Sequence, residues 1–148
     1  MKKAFSLVEL LIVVAILGIL AAVVIPEVSS HVMKAKESAA KDTLRILRES
    51  IERYYAENGV APGYVGRDPT ASASSGQFLL NVVYRSDYIN SPPENPFNDK
   101  SNLYVIQNGA DMPAGATGTY GWIYKPQTRT IRLDWPGTDS KGVSYYSY

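Results

Sequence analysis

Few residues in this 148-residue chain have the types and spacing that catalytic chemistry requires. The single histidine, His31, has no second histidine and no cysteine with which to share a metal, so a satisfied or exposed side chain is its ordinary role. No serine, lysine or carboxylate is spaced as a nucleophile with its base, and no phosphate-binding loop is present. The sequence therefore predicts a protein that is not an enzyme.

Two carboxylates near the C-terminus, Asp134 and Asp139, are the candidates for a metal site. They lie with Gly142 in a turn-rich stretch, and carboxylate oxygens are ligands that calcium prefers. They do not form a recognised calcium-binding loop, and carboxylates of exposed turns are the more common alternative. We predict no cofactor, with calcium at Asp134 and Asp139 as the one candidate.

The carboxylate with the most unusual surroundings is Glu9. It is the single charged residue of residues 5–25, a stretch that is long enough to cross a bilayer core of roughly 30 Å as a helix. Lys2 and Lys3 precede the stretch, which favours an N-terminus on the cytoplasmic side. A carboxylate inside a membrane span is costly, so Glu9 is a functional candidate.

Two simpler interpretations of this stretch are a secretory signal peptide and a plain membrane anchor. A signal peptide has an uncharged core and a small-residue cleavage site after it, whereas here Glu9 lies near the start of the core. The pair Ala21-Ala22, followed by Val-Val-Ile-Pro, is a poor cleavage site. A plain anchor gives Glu9 no role.

Residues 4–14 resemble the leader junction of the type IV pilin and type II secretion pseudopilin superfamily. In that family a short basic leader ends in a small residue, the next residue is usually Phe, and a Glu follows four positions later. Ala4, Phe5 and Glu9 have this arrangement. Ala4 stands where Gly is usual, a departure that predicts slower or incomplete cleavage.

The resemblance continues beyond the junction. Gly18 and Pro26 lie where the family typically has a Gly and a Pro. Residues 54–62 resemble the end of the long helix in pseudopilins, with aromatic residues, then Asn-Gly, then a Pro. The similarity is specific over residues 1–63 and loose beyond them.

This resemblance implies how the chain is processed. A prepilin peptidase cuts between Ala4 and Phe5 and methylates the new N-terminus of Phe5. The subunit then waits in the bacterial inner membrane as a single-pass protein, with its N-terminus cytoplasmic and its head outside. An inner-membrane assembly platform adds it to a homo-oligomeric helical filament, in which Glu9 pairs with the N-terminal amine of an adjacent subunit.

Three functions remain open at this stage. The chain most resembles the major pseudopilin of type II secretion, which forms a periplasmic pseudopilus. That function is favoured because this chain has no cysteine, whereas many type IV pilins close a C-terminal loop with a disulfide. The alternatives are the major pilin of an extracellular type IV pilus, acting in motility, adhesion or DNA uptake, and a membrane-anchored binding domain that acts singly. Major pseudopilins bind calcium in their C-terminal loop, so the resemblance also favours calcium at Asp134 and Asp139.

Net charge supports no nucleic-acid partner. The chain has 15 Lys and Arg against 14 Asp and Glu, a formal net charge of +1. Proteins that bind nucleic acid through its phosphates need a basic excess or a basic stripe. We predict none here.

A long helix is the element that must position Glu9. We expect helix over residues 5–58, about 80 Å at 1.5 Å per residue, ending at Asn58-Gly59. Gly18 and Pro26 predict a helix break, a place where the helix can bend or partly melt. After Pro26, apolar residues at helical spacing predict one buried stripe: Val28, Val32, Ala35, Ala39, Ile46, Leu47, Ile51 and Tyr54.

The rest of the chain predicts a small head of α+β class. Residues 63–76 indicate a loop, residues 78–84 with 87–89 a short second helix, and residues 103–107, 120–124 and 130–134 three strands. The last two strands flank a five-residue loop and so predict a hairpin. We expect a small antiparallel sheet that packs on the long helix. The predicted organisation is a leader at 1–4, a transmembrane and assembly segment at 5–26, an amphipathic helix half at 27–59 and a globular head at 60–148.

Overall fold

The computed structural model describes residues 6–84 and 88–148, apart from the side chains of residues 23 and 26. The predicted leader, the cleavage position at Ala4 and Phe5, and Asp87 of the predicted second helix lie outside the described residues. The chain divides into two compact units, residues 1–35 and 36–148. The predicted boundaries after residues 4, 26 and 59 stay predictions.

The first element, α1, is a 52-residue helix at Leu7–Asn58, and it contributes to both units. Its C-terminal end is the predicted Asn-Gly stop. The Asn58 side-chain amide donates to the Tyr54 carbonyl at 2.9 Å, and the Gly59 N–H donates to the Tyr55 carbonyl at 2.8 Å. Gly59 has a φ of 72°, a left-handed conformation that glycine adopts without steric cost.

In the second unit, α1 buries the predicted stripe residues Leu47, Ile51 and Tyr54, but the other buried apolar residues, Ala40 and Leu44, were not in the predicted stripe. The buried apolar positions follow a strict four-three spacing: Ala40, Leu44, Leu47, Ile51 and Tyr54. Val28, Val32 and Ile46, which the predicted stripe included, are 54%, 51% and 42% exposed. The predicted stripe mixed two neighbouring helix faces, because Ile46 lies about 100° around the helix from Leu47.

Short elements follow α1. A turn at Val65–Arg67 leads to helix α2 at Ser75–Leu79, which continues as a π-helical turn at Leu80–Tyr84. The Ser74 hydroxyl caps α2 by accepting a hydrogen bond from the Gln77 N–H at 3.1 Å. The second helix predicted at 78–84 with 87–89 therefore exists at 78–84, but it begins inside the predicted loop and does not include residues 88 and 89.

The α+β class is confirmed, whereas the expectation of an antiparallel sheet is wrong for one strand pair. Strand β1 is Leu103–Val105, β2 is Trp122–Lys125 and β3 is Thr130–Leu133, in the order β1-β2-β3. The predicted hairpin forms β2 and β3, which pair antiparallel. β1 instead pairs parallel with β2, because the connection over residues 106–121 is long enough to return the chain to the same end of the sheet.

The core of the second unit lies between α1, α2 and one face of this sheet. Apolar burial holds these elements together, since each large side chain removed from water contributes about 1.5–3 kcal/mol. The largest fully buried apolar side chains of this core are Trp122, Tyr124, Phe78, Leu44, Leu47, Ile51, Ile131, Leu133 and Val82, whereas Ile123 packs in a separate cluster with Ile106 and Tyr146.

Candidate functional site

The N-terminal part of α1 presents an apolar surface with no cover. Its large described apolar side chains, from Leu7 to Ile25, are between 46% and 77% exposed. By length and composition α1 can cross a membrane, with an 18-residue window of mean hydropathy 3.1. Water is a poor solvent for such a surface, so lipid or the apolar helices of neighbouring molecules must cover it.

Glu9 sits at the start of this apolar surface and closes the N-terminus of α1. Its Oε2 accepts a hydrogen bond from the Ser6 N–H at 2.9 Å, and the Ser6 Oγ accepts one from the Val8 N–H at 3.3 Å. Ser6 is thus the N-cap of α1 through the Val8 N–H, and Glu9 reaches back to the Ser6 N–H as the glutamate of a capping box does. The Ser-x-x-Glu spacing was readable in the sequence, and the sequence analysis missed it.

Gly18 and Pro26 do not interrupt α1 in the isolated chain, since helix continues from Leu7 to Asn58. A Cβ built on Gly18 meets nothing within 4 Å, so no contact inside the chain requires glycine at this position. The predicted helix break at these two residues stays a prediction for an assembled state. His31 lies farther along α1, 3.2 Å from the Glu27 carboxylate and exposed, as expected for a histidine with no metal-binding partner.

Asp134, one of the two calcium candidates, organises the connection between β1 and β2. The residue is fully buried. Its two oxygens accept hydrogen bonds from the N–H groups of Thr117, Gly118 and Tyr120 and from the Thr117 hydroxyl, over 2.5–3.1 Å. Burial alone raises the pKa of this carboxyl, but the four hydrogen bonds outweigh burial and hold the pKa below its usual value.

Asp139, the other candidate, organises the C-terminal turn. Its Oδ1 accepts from the N–H groups of Lys141 and Val143, and its Oδ2 accepts from the Tyr148 hydroxyl at 2.9 Å. The Lys41 ammonium of α1 lies 3.6 Å from the same Oδ2. The hydrogen bond from the Val143 N–H is the main cause of a lowered Asp139 pKa.

These donor sets do not fit a calcium site. A hard cation needs several oxygens that are free to face it. The oxygens of Asp134 and Asp139 instead face N–H and O–H donors and an ammonium group. Among residues 6–84 and 88–148, no three metal-ligating side chains come together. Both carboxylates are buried, so the alternative of exposed turn carboxylates is wrong, whereas calcium at these residues stays a prediction.

Tyrosines fasten the C-terminal segment to α1, an arrangement that the sequence analysis did not foresee. The Tyr145 hydroxyl donates to the buried Glu37 carboxylate at 3.1 Å. The Lys41 ammonium lies 4.2 Å from the centre of the Tyr148 ring while it pairs with Asp139. We call Glu37, Lys41, Asp139, Tyr145 and Tyr148 the C-terminal clasp.

A cavity of about 670 Å³ near the C-terminal end of α1 has polar walls. Its lining includes Glu57, Arg67, Gln77 and Tyr88. The Tyr88 hydroxyl donates to the Glu57 carboxylate, which also pairs with a neighbouring arginine of α1. Within the described part of the chain, no serine, lysine, cysteine or histidine lines the cavity.

The chain is similar in sequence to known proteins. Residues 1–25 match the family model described as the prokaryotic N-terminal methylation motif. The type IV major pilin protein PilE of Neisseria gonorrhoeae is 36% identical over 148 residues, covering 96% of this chain and 86% of that protein. The type II secretion system core protein G of Vibrio cholerae is 30% identical over 129 residues, covering 80% of this chain and 87% of that protein.

The similarity to a third relative is shorter. The fimbrial protein EcpC of Eikenella corrodens is 33% identical over 82 residues, and the alignment spans only 55% of this chain and 54% of that protein. No solved structure matches the chain.

Proposed function

Because the chain belongs to the type IV pilin and type II secretion pseudopilin superfamily, we propose that it is the structural subunit of a helical pseudopilus in type II protein secretion. The methylation motif and the relatives of both kinds support a pilin-like filament subunit. These relatives are structural proteins rather than enzymes, in agreement with the prediction from sequence. In our proposal the subunit assembles from the inner membrane after a prepilin peptidase cuts between Ala4 and Phe5.

The uncovered apolar surface of α1 is the observation that carries the filament function. The same surface satisfies two environments in succession. In the membrane, lipid covers the apolar side chains of residues 7–25. In a filament, the corresponding helices of neighbouring subunits replace the lipid, so that leaving the bilayer exposes little apolar area to water.

Glu9 fixes the axial position of one subunit relative to the next in this proposal. A carboxylate surrounded by packed apolar helices is costly when unpaired, and pairing with a cation relieves that cost. The methylated amine of Phe5 on an adjacent subunit is the cation that we propose. Glu9 then exchanges its hydrogen bond from Ser6 for an ion pair between subunits, and only one axial position of the incoming subunit makes that pair.

The C-terminal clasp supports the secretion pseudopilus over the pilus. The chain has no cysteine, so no disulfide can close its C-terminal segment. Contacts from Glu37 and Lys41 of α1 to Tyr145, Asp139 and Tyr148 fasten the segment without a covalent bond. A disulfide-free closure is the feature by which the sequence favours a pseudopilin.

A second candidate, the major pilin of an extracellular type IV pilus, is favoured by one observation. The alignment with the pilin PilE spans 96% of this chain at 36% identity, whereas that with protein G spans 80% at 30%. In this candidate the same α1 surface forms the filament core, and only the destination of the filament differs.

Deletion of the gene in its native bacterium, with complementation by the full chain, separates the candidates. The pseudopilus function predicts that exported proteins accumulate in the periplasm and that surface filaments persist. The pilus function predicts that surface filaments disappear and that secretion continues. If neither phenotype appears, and if cross-linking in membranes finds only monomers, both candidates are wrong and a singly acting anchored domain replaces them.

A further inference from the structure

The Lys41 ammonium lies beside Asp139, a carboxylate at which the sequence predicts a calcium ion. Its Nζ is 3.6 Å from the Asp139 Oδ2 and 4.2 Å from the centre of the Tyr148 ring. A carboxylate oxygen and the face of an aromatic ring both attract a positive charge. Two cation-binding groups of the C-terminal segment therefore surround one ammonium group of α1.

Both oxygens of the Asp139 carboxylate are engaged. Oδ1 accepts hydrogen bonds from the N–H groups of Lys141, at 2.8 Å, and Val143, at 2.9 Å. Oδ2 accepts from the Tyr148 hydroxyl while it faces the Lys41 ammonium. Calcium takes roughly six to eight oxygen ligands at about 2.3–2.6 Å. A calcium ion at Asp139 would have to displace the ammonium, because two cations that share one oxygen repel each other.

The other carboxylates of the predicted calcium site and of the clasp have partners of their own. Asp134 accepts four hydrogen bonds from the connection between β1 and β2, and Glu37 accepts one from the Tyr145 hydroxyl at 3.1 Å. In the part of the chain that the structure describes, no three side chains of the metal-ligating types form a group that could hold an ion. One available carboxylate is too few for calcium, but it is sufficient for an ammonium group.

Asp139 needs a positive partner because it is nearly buried. Its side chain is 3% exposed, whereas that of Lys41 is 52% exposed. An ionised carboxylate that is removed from water is costly unless a charge and hydrogen bonds compensate for it. Lys41 supplies that charge from α1 of the same chain, so the contact joins the C-terminal segment to the helix without an ion from solution.

We propose that the Lys41 ammonium takes the place of a calcium ion in this head, as the alternative to the calcium that the sequence predicts. The C-terminal clasp then closes without a metal, and the stability of the head does not depend on the calcium concentration. It depends instead on the pairing of Lys41 with Asp139. None of these contacts involves a filament, so the outcome is independent of the proposed assembly function.

The first test compares the full chain, solubilised in a non-ionic detergent, in calcium chloride and in the chelator EGTA at constant ionic strength. A ligand that binds only the folded state raises the melting temperature. We expect the wild type to melt at the same temperature in both solutions, and to give no saturable heat when calcium is titrated into it by calorimetry. Saturable calcium binding that raises the melting temperature and that Asp139→Asn abolishes would overturn the proposal.

The second test is a double-mutant cycle between Lys41 and Asp139. Lys41→Met keeps an apolar stem but removes the ammonium, so it should lower the melting temperature by about 4 °C. The same substitution in the Asp139→Asn background should cost clearly less, because the carboxylate that the ammonium balances is gone. Lys41→Arg keeps the charge and should retain most of the stability of the wild type.

Lys141→Met is the matched control. Lys141 contacts Asp139 through its main-chain N–H, and its ammonium forms no ion pair among the described residues. This variant should melt like the wild type. Equal losses from Lys41→Met in the wild-type and Asp139→Asn backgrounds, or equal losses from Lys41→Met and Lys141→Met, would overturn the proposal. Circular dichroism of each variant checks that it is folded.

Discussion

The Tyr145 hydroxyl and the Glu37 carboxylate form a buried hydrogen bond of 3.1 Å between residues that are 108 positions apart in the chain. Glu37 lies on α1 near the start of the second compact unit, and Tyr145 lies near the end of the C-terminal segment. Both side chains are less than a tenth exposed. This contact closes the head onto its helix without a covalent bond.

Removal of the Tyr145 hydroxyl should destabilise the head. In Tyr145→Phe the ring keeps its contact with Phe97, at 4.6 Å between ring centres, but the Glu37 carboxylate loses its donor. A buried carboxylate without a partner costs about 1–3 kcal/mol, so we expect a loss of about that size in the free energy of unfolding, measured by urea denaturation in detergent. Tyr104→Phe is the control: Tyr104 is 41% exposed and its ring stacks on Tyr120. Equal stability of the two variants would show that the hydrogen bond contributes nothing.

Asp134→Asn should destabilise the head through the connection between β1 and β2. The amide nitrogen of asparagine is a donor, and it would face N–H groups that now donate to the carboxylate. We expect a loss of about 2 kcal/mol in the free energy of unfolding. Asp111→Asn is the control, because Asp111 lies within this connection but has a fully exposed side chain, 3.6 Å from Lys125. It should leave the free energy of unfolding nearly unchanged. A loss of similar size in Asp111→Asn would contradict the role that we assign to Asp134.

Acid should loosen the C-terminal clasp through Asp139. The pKa of its carboxyl lies below the usual value of 3.8, with the hydrogen bond from the Val143 N–H as the main cause. A carboxyl whose pKa is lower in the folded state stabilises the fold above its unfolded pKa, and this contribution is lost as the pH falls through the folded pKa. The difference in melting temperature between the wild type and Asp139→Asn should therefore be constant from about pH 5 to 7 and shrink below about pH 4. A difference that instead closes between pH 5 and 7 would assign the effect to another group.

Gly121 should be the glycine of the head that tolerates alanine least. A Cβ at this position would lie 2.2 Å from the Lys100 carbonyl oxygen and 2.9 Å from its carbon, so the main chain before β1 would have to move. Overpacking against fixed backbone costs about 1–3 kcal/mol or more, and we expect Gly121→Ala to melt at a clearly lower temperature than the wild type. A Cβ on Gly115, in the same connection, meets nothing within 4 Å, so Gly115→Ala should have the same melting temperature as the wild type. Equal melting temperatures of the two variants would show that the main chain near Lys100 accommodates the added Cβ without cost.

The parts of the fold that sequence reasoning predicted are those with local signals. The Asn-Gly stop of α1 and the hairpin of β2 and β3 depend on residues that are neighbours in sequence. The parallel pairing of β1 and the contact between Glu37 and Tyr145 depend on where a long connection returns, and no nearby residue encodes that. The sequence predicts Asp134 and Asp139 as metal ligands, because a carboxylate in a turn has the same sequence pattern whether it accepts N–H bonds or binds a cation.

The contact of Glu9 with Ser6 is also local and has the spacing of a capping box, although it was not among the predicted features. The capping box raises a question about the role of Glu9, because a residue that only caps a helix has no part in assembly. Glutamine serves at this position of a capping box nearly as well as glutamate, but it carries no charge. Glu9→Gln therefore separates a local cap from an ion pair between subunits.

We expect Glu9→Gln and Glu9→Ala both to insert into the membrane and to be cleaved, and both to give at least about tenfold fewer filaments, because the unpaired position weakens the addition of each subunit. The measurements are membrane fractionation, the mass of the mature N-terminus, and the amount of sheared filament seen by immunoblot and electron microscopy. Glu27→Gln is the control, because Glu27 is an exposed carboxylate of the same helix with a local partner, His31. If Glu9→Gln assembles like the wild type while Glu9→Ala does not, the capping box rather than the charge explains Glu9, and the ion pair with the neighbouring amine is wrong.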